Sequence, residues 1–200
     1  PYRAYSDHFH NYLEKLAASL SSPSPTPGSF ATSTDATDST IFIQYKTVSF
    51  EEDLHHEFKD ISQNNQPVNS IGQIAEEYAV AFLNAEGGSI FWGIRDDGSV
   101  VGVELTRSQR DKISQGVSNK LSHISPSGQS LTCKIIFHEV YESDQKTIIN
   151  DLCVVELAVP KASEVCYTKN GECFVKSYGI KRRLTPREVA EFVQHRSGKV

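Results

Sequence analysis

Four segments of the chain carry the signals of helices. They are residues 6–20, residues 71–83, residues 106–121, and a last helix that begins after Thr185. The first two have apolar residues three and four positions apart, which is the spacing of one face of a helix. The last two open with a threonine followed three positions later by Gln109 or Glu188, and this pattern is typical of a capping box. The sequence therefore predicts four helices.

Runs rich in β-branched and aromatic residues lie between these helices and predict strands. They cover residues 41–48, 54–60, 89–94, 100–103, 131–138, 152–159, 165–168 and 173–176. Asp97-Gly98 predicts a hairpin between the third and fourth of these strands, and Asn170-Gly171 predicts a hairpin between the last two. Because the helices alternate with hairpins and not with single strands, we expect an α+β fold with a mixed β-sheet flanked by helices.

Composition divides the chain into three parts. We expect a helical arm at residues 1–20, a flexible linker at residues 21–40 and a core domain at residues 41–198. The linker contains Pro23, Pro25 and Pro27 among serines and threonines. Such a stretch has too little apolar surface to order itself.

The overall composition describes a globular protein, with 38% hydrophobic and 22% charged residues. No apolar run approaches the ~20 residues needed to cross a bilayer, so we expect no membrane segment. The sequence has no methionine, and we expect it to be a fragment from which an address signal could have been lost. Four cysteines are too few for a disulfide scaffold, which favours the cytoplasm, with the nucleus as the alternative. The net charge of −5 disfavours a general nucleic-acid coat protein but leaves room for a nuclease.

Three carboxylates and one lysine are the candidate catalytic residues: Glu52, Glu57, Asp96 and Lys59. Carboxylates that converge repel each other unless a cation neutralises them, and oxygen ligands suit Mg²⁺ or Mn²⁺. Such a metal activates water and stabilises charge on a phosphate. On a strand, Glu57 and Lys59 would share one face, so the lysine could add a positive charge there. The alternative for each acid is a solvated surface charge.

These residues belong to a longer pattern that resembles a known family. It consists of Glu52, then Glu57-Phe58-Lys59, a helix, and Asn84-Ala85-Glu86-Gly87-Gly88 before a strand that leads to Asp96. This pattern resembles the Schlafen core domain and the related AlbA-2 domains, over about residues 48–195. The resemblance implies a metal-dependent endoribonuclease that cleaves tRNA-like RNA or small-RNA precursors, with Glu52, Glu57 and Asp96 as metal ligands. Glu51 or Asp53 is the alternative to Glu52, and Asp97 is the alternative to Asp96.

The resemblance also implies a partner. Vertebrate Schlafens carry two such lobes in tandem, whereas this chain has one. The second lobe would come from a homodimer or from a heteromer with another Schlafen-like chain. Two other functions remain open at this stage: a non-catalytic subunit of a heteromeric nuclease, and an AlbA-2-like nucleic-acid-binding regulator.

Zinc is a further candidate, because the resemblance implies the His/Cys zinc site of vertebrate Schlafens. The Cys-Cys pair that forms part of that site is absent here. The substitutes available in this sequence are His123, Cys133, Cys166 and Cys173. In the hairpin predicted around Asn170-Gly171, Cys166 and Cys173 would lie diagonally on one face, close enough to share a metal. The alternative is that the cysteines are buried structural residues.

Basic residues cluster near the end of the chain. The candidate RNA contacts are Lys176, Lys181, Arg182, Arg183 and Arg187, and a second basic group on the third predicted helix consists of Arg107, Arg110, Lys112 and Lys120. Five cations within twelve residues can neutralise several phosphates of an RNA strand. The alternative is a solvated charged surface.

Overall fold

The computed structural model describes residues 40–196. The arm predicted at residues 1–20 lies outside the described residues, as does the linker predicted at residues 21–40 apart from Thr40. Residues Ile41–Val189 form a compact unit. In this described range no helix is both long and apolar enough to span a membrane.

Three helices and eight strands are found in residues 40–196. The helices are α1 (Pro67–Leu83), α2 (Arg107–Leu121) and α3 (Pro186–Arg196). The strands are β1 (Phe42–Ile43), β2 (His56–Lys59), β3 (Gly88–Trp92), β4 (Val103–Glu104), β5 (Lys134–Tyr141), β6 (Ile148–Val159), β7 (Phe174–Ser177) and β8 (Ile180–Arg183). Six strands make a mixed sheet in the order β1-β5-β6-β3-β2, with β4 also on β6, while β7 and β8 pair separately. The predicted α+β fold with a mixed sheet is confirmed.

The register of β2 decides which of its side chains face α1. Strands β2 and β3 are parallel, joined by α1, and Glu57 lies opposite Ile90 while Phe58 lies opposite Phe91. Because side chains alternate along a strand, these two pairs lie on opposite faces of the sheet. Ile90 belongs to the larger hydrophobic core, which contains the buried faces of α1 and α2. Phe58 and Phe91 belong to a smaller cluster with Phe42.

The capping signals mark the helices correctly. At α2, the Thr106 side chain accepts a hydrogen bond from the Gln109 amide, and the Gln109 side chain accepts one from the Thr106 amide. At α3, the Thr185 amide donates to the Glu188 carboxylate over 2.8 Å. Both predicted capping boxes are therefore confirmed. Helix α1 has no such cap and starts at Pro67, four residues before the predicted start.

Strand β1 is much shorter than the predicted strand over residues 41–48. Tyr45 has a φ of 61°, a left-handed conformation that ends a strand. The Tyr45 amide donates instead to the carbonyl of Val100 over 2.7 Å, and the Val48 amide donates to Gly98 over 3.0 Å. The second half of the predicted strand thus follows the turn at Gly98.

The turn at Asp97-Gly98 forms, but the hairpin predicted around it does not continue. One antiparallel bridge joins Ile94 to Val100, and the chain then leaves β3 to pair with β6 as β4. Gly93 and Gly102 are both left-handed, and a Cβ on Gly93 would lie 3.0 Å from Gly102. The close approach of these two glycines redirects the chain.

The hairpin predicted around Asn170-Gly171 is wrong. The turn itself is present, since the Gly171 amide donates to Thr168, but Tyr167 pairs with Ser125 and not with the strand that follows. The residues after the turn pair forward, as β7 with β8 around Tyr178-Gly179. A longer-range pairing therefore replaces the local one.

Candidate functional site

The Asn-x-x-Gly-Gly segment after α1 fixes the position of neighbouring strands. Asn84 is fully buried. Its carbonyl oxygen accepts from the Cys166 amide over 2.7 Å, and its amide nitrogen donates to the carbonyls of Cys166 and Phe174 over 2.8 and 2.9 Å. Because its carbonyl oxygen and its amide nitrogen are both hydrogen-bonded to this part of the chain, Asn84 ties the end of α1 to the start of β7.

The two glycines of the same segment allow backbone contacts that no side chain permits. A Cβ on Gly87 would lie 2.9 Å from the carbonyl of Val159, and a Cβ on Gly88 would lie 2.4 Å from the carbonyl of His55. Both glycines have positive φ values, 80° and 146°. Gly88 therefore allows the residue before β2 to lie directly against β3, and Gly87 allows the end of β6 to approach the same segment.

The segment before β2 is held by two acids with different partners. The Asp53 carboxylate accepts from the amides of His55 and His56 over 2.7 and 2.8 Å and contacts the His56 ring over 2.9 Å. These bonds use Asp53 to close a turn. The Glu52 carboxylate instead accepts from the Phe58 amide over 2.6 Å, which directs Glu52 back along β2.

Glu52 and Asp96 line the same cavity, which has a volume of about 360 Å³. We call it the acidic cavity, because Glu51 and Asp97 also line it and no lysine or arginine does. Asp97 is engaged in its own turn, where its carboxylate accepts from the Ser99 amide over 2.9 Å. Two of the three predicted metal ligands are therefore brought together, and Asp53 is not among the lining residues.

Glu57, the third predicted ligand, lies apart in a buried ion cluster and does not line the acidic cavity. One of its carboxylate oxygens accepts from Lys59 over 2.5 Å and from the Tyr78 hydroxyl over 2.7 Å. The other oxygen pairs with Lys176, whose side chain is fully buried. We call Glu57, Lys59, Tyr78 and Lys176 the lysine–glutamate cluster. It contains two cations and one anion, so it has an excess positive charge.

The protonation states in this cluster follow from its contacts. Burial by itself raises the pKa of Glu57, but the hydrogen bonds from Lys176, Lys59 and Tyr78 outweigh it and hold the pKa below its usual value. Burial, together with the bond to Glu57, raises the pKa of Tyr78 well above its ordinary value. Glu57 is therefore an anion and Tyr78 a neutral donor at neutral pH.

The described residues fit a divalent metal only in part. Carboxylate oxygens are suitable donors for Mg²⁺ or Mn²⁺, and Glu52 and Asp96 supply them on one cavity. Glu57 does not fit the role as placed, because three donors already occupy its oxygens. Within residues 40–196 no three histidines, cysteines, aspartates or glutamates converge to hold an ion.

The residues suggested for zinc do not form a group of three possible ligands within residues 40–196. Cys166 and Cys173 both lie beside Asn84, whose amide nitrogen donates to the Cys173 sulfur over 3.4 Å, and both are buried. His123 is exposed. Burial raises the pKa of Cys133 to about 12, so the Cys133 thiol is protonated at neutral pH. Zinc binding stays a prediction.

The predicted RNA-contacting cations differ in accessibility. Lys176 is buried against Glu57 and the carbonyl of Gly179, and it is therefore a structural ion pair here and not a surface contact. The other cations near it are also balanced by acids. Lys181 pairs with Glu77, Arg182 with Glu188, and Arg183 with Glu172, while Arg187 is exposed. RNA phosphates would have to compete with these carboxylates.

Two residues that carry this arrangement were not identified as site residues from the sequence. Tyr78 is one of the residues on the buried face of α1. A tyrosine hydroxyl on such a face needs a polar partner in the core, and this is the signal that could have identified it. Asn84 was identified only as part of the family pattern, although a buried amide within a motif indicates a bridging role.

Comparison with known proteins places this lobe in a family. The sequence profile of the Schlafen AlbA_2 domain matches residues 52–185. The chain belongs to this family, and that membership suggests a nucleic-acid-binding role. A crystal structure of the DIP2311 protein from Corynebacterium diphtheriae is similar over 70% of this chain, with 18% identity and a TM-score of 0.47. The match covers 24% of that protein, so this chain spans about a quarter of its length.

Proposed function

We propose that this domain is the RNA-cleaving lobe of a metal-dependent, Schlafen-like endoribonuclease. It would act on tRNA-like RNA or small-RNA precursors, together with a second lobe from another copy of the chain or from another Schlafen-like chain. The observation that carries the proposal is the meeting of Glu52 and Asp96 at one cavity, from two segments of a Schlafen AlbA_2 domain.

The charge of the acidic cavity supports a role for a cation. Four carboxylates line it without a lysine or arginine, so an RNA phosphate would be repelled unless a positive ion neutralised them. Glu52 and Asp96 would hold Mg²⁺ or Mn²⁺ through their oxygens. When bound, the metal supplies charge neutralisation at the phosphate and an activated water.

The protein's own residues position this chemistry. The bond from the Phe58 amide holds the Glu52 carboxylate in one orientation without neutralising its charge. Lys59 is about one-third exposed and belongs to a cluster with an excess positive charge. It does not line the acidic cavity, because it shares the sheet face of Glu57 while Phe58 lines the cavity, so its part in stabilising charge on a phosphate stays a prediction.

The proposal is tested by removing charge while keeping shape. Glu52→Gln and Asp96→Asn, assayed on a structured RNA with Mn²⁺, should each lower the cleavage rate by about 100-fold or more, because several kcal/mol of transition-state stabilisation would be lost. Glu104→Gln is the matched control, since Glu104 is exposed on β4 and outside the cavity.

Wild-type rates in both cavity variants would refute the assignment of the cleavage site. Light scattering on the same preparations, alone and mixed with a Schlafen-like partner, measures whether a second copy or a second chain binds. A monomer that cleaves RNA unaided would remove that part of the proposal. Glu57→Ala is a poor test of catalysis, because it leaves Lys176 buried without its acid.

A second candidate function is RNA binding without cleavage, either as a supporting subunit or as a regulator. The observation that favours it is the occupation of Glu57 by Lys59, Lys176 and Tyr78, which leaves this carboxylate no free oxygen for a metal. Binding of RNA without any product under Mg²⁺, Mn²⁺ and other divalent ions would select this function over the first.

A further inference from the structure

A second and larger cavity, of about 690 Å³, lies where β2 leads into α1. Its lining is dominated by carboxamide side chains: Gln63, Asn64, Asn65, Gln66, Asn69 and Gln73. We call it the amide groove. The groove also contains one charged residue, Asp60, and one large apolar residue, Ile61. Six neutral amides around one groove form a surface of hydrogen-bond donors and acceptors without net charge of their own.

Some of these amides build the groove and others are left open to it. The Asn64 side-chain nitrogen donates to the Ser70 hydroxyl over 2.6 Å, and the Asn69 side-chain nitrogen donates to the side-chain oxygen of Gln66 over 2.6 Å, so these side chains hold the loop on the first turn of α1. Within the described part of the chain, the side-chain amides of Gln63, Asn65 and Gln73 make no hydrogen bond.

The chemistry of these open amides selects a class of ligand. The groove has no lysine or arginine, so it is not built for phosphate. A carboxamide presents an acceptor and a donor side by side, which matches the edge of a nucleobase. Asparagine and glutamine form this paired contact with adenine in particular, with the amide oxygen accepting from N6 and the amide nitrogen donating to N7. Unpaired bases of RNA expose these edges.

The position of the groove connects it to the acidic cavity. Asp60, on the groove, follows Lys59 of β2, and the Arg95 side chain donates to Asp60 over 3.2 Å. Asp96, the next residue, lines the acidic cavity. On the first of these segments Phe58 lines the acidic cavity and Asp60 lines the groove two residues later, so the two cavities lie at neighbouring positions along β2 and its end.

We propose that the amide groove holds an unpaired adenine of the RNA strand whose phosphate lies at the acidic cavity. This inference rests on the proposed function and gives it a sequence preference. Gln63, Asn65 and Gln73 are the base-reading residues. The remaining amides of the groove position the loop that carries them.

The inference is tested by binding of single-stranded hexamers rA6, rC6 and rU6, measured by fluorescence anisotropy with Ca²⁺ in place of Mg²⁺ or Mn²⁺, so that a cation neutralises the acidic cavity while cleavage is suppressed. The wild-type chain should bind rA6 about tenfold more tightly than the other two, the size expected for one paired amide contact. The triple variant Gln63→Ala/Asn65→Ala/Gln73→Ala should bring the three affinities within about twofold of each other. Gln115→Ala/Asn119→Ala, on exposed positions of α2, is the matched control and should keep the preference.

The outcomes separate this inference from the function on which it rests. A wild-type chain that binds none of the hexamers would overturn the proposed RNA function itself. Binding without a preference for rA6, or a preference that survives in the triple variant, would overturn the base-reading groove alone.

Discussion

A lysine whose side chain is fully buried needs an acid beside it, and Lys176 finds that acid in Glu57, 119 positions away in the sequence. Taking an ammonium out of water costs several kcal/mol, and the pair offsets this cost only because the contacts are satisfied. Tyr78 and Lys59 complete the bonds to Glu57, and Lys176 also donates to the carbonyl of Gly179 over 2.8 Å. The contacts of Glu57 therefore give it a role in stabilising the fold, whether or not it also takes part in a reaction.

Lys176→Met should lower the free energy of unfolding by about 3 kcal/mol or more, because the buried carboxylate loses its best-shielded partner. Glu57→Gln in the same chain should recover much of that loss, since both charges are then removed. Urea unfolding, followed by the fluorescence of Trp92, measures both, as Trp92 is the single tryptophan and is fully buried.

Lys181→Met is the control for this comparison. Its ion pair with Glu77 is partly exposed, and such pairs contribute about 1 kcal/mol or less. Equal losses from Lys176→Met and Lys181→Met would contradict the structural role of the buried pair.

Single-residue chemistry was predictable where neighbours in sequence are neighbours in space. The period of a strand placed Lys59 beside Glu57, and the structure confirms that contact at 2.5 Å. The partner of Glu57 on its other oxygen was not predictable, because Lys176 reaches it through the tertiary fold. The same limit explains why Lys176 was grouped with the surface cations.

At the scale of elements, the contact of β2 with β3 depends on a missing side chain. Gly88→Ala should lower the free energy of unfolding by about 3 kcal/mol or more, since its Cβ would lie 2.4 Å from the carbonyl of His55 at a φ of 146°. The measurement is again the urea midpoint.

Substitutions at two other glycines distinguish the effect of a positive φ from the effect of a steric clash. Gly171→Ala has a positive φ of 75° but no atom within 4 Å of the new Cβ, so it should cost only about 1 kcal/mol. Gly72→Ala lies in α1 with open space around it and should stabilise by about 1 kcal/mol. If Gly88→Ala costs no more than Gly171→Ala, the close approach of β2 and β3 is not what requires glycine.

Helices were more predictable than strand pairings, and local chemistry explains the difference. The N-termini of α2 and α3 are fixed by capping residues three positions apart, and these residues can be recognised in the sequence. Strand partners are chosen among distant segments. Tyr45 has no sequence signal for its left-handed φ of 61°, and Tyr167 pairs with Ser125 across more than forty residues.

Over the whole molecule, the buried carboxylates link stability to pH. Burial by itself raises the pKa of Glu156, but bonds from His138 and Ser89 outweigh it and hold the pKa below the ordinary value of 4.5. Glu57 is shifted in the same direction. A carboxyl whose pKa is lowered by folding stabilises the protein above its unfolded pKa, and that contribution is lost as the pH falls through the folded pKa.

The free energy of unfolding should therefore hold from neutral pH down to about 5 and fall steeply below about 4.5, where the unfolded carboxyls begin to bind protons. Urea titrations at successive pH values measure this. Glu156→Gln should flatten the fall, because one of the linked groups no longer titrates. Stability that is unchanged at pH 3 would show that these carboxylates are not linked to folding.

The sequence predicted the fold class and the family, and both are confirmed. Glu52 and Asp96 line one cavity and Glu57 does not, and the role of all three as metal ligands stays a prediction. The motif that carries the resemblance contains both functional candidates and packing residues such as Gly88, and spacing alone does not distinguish them.

The bonds of Asn84 and Glu57 to the chain near β7 have a consequence for shortened forms of the protein. A splice variant or a proteolytic product that ended before Phe174 would keep every residue of the acidic cavity. It would nevertheless lose Lys176 as the partner of Glu57 and the Phe174 carbonyl as an acceptor for Asn84. The hairpin of β7 and β8 therefore stabilises the first half of the lobe, and we expect a product that ends before Phe174 to unfold more easily and to be degraded faster than the intact lobe.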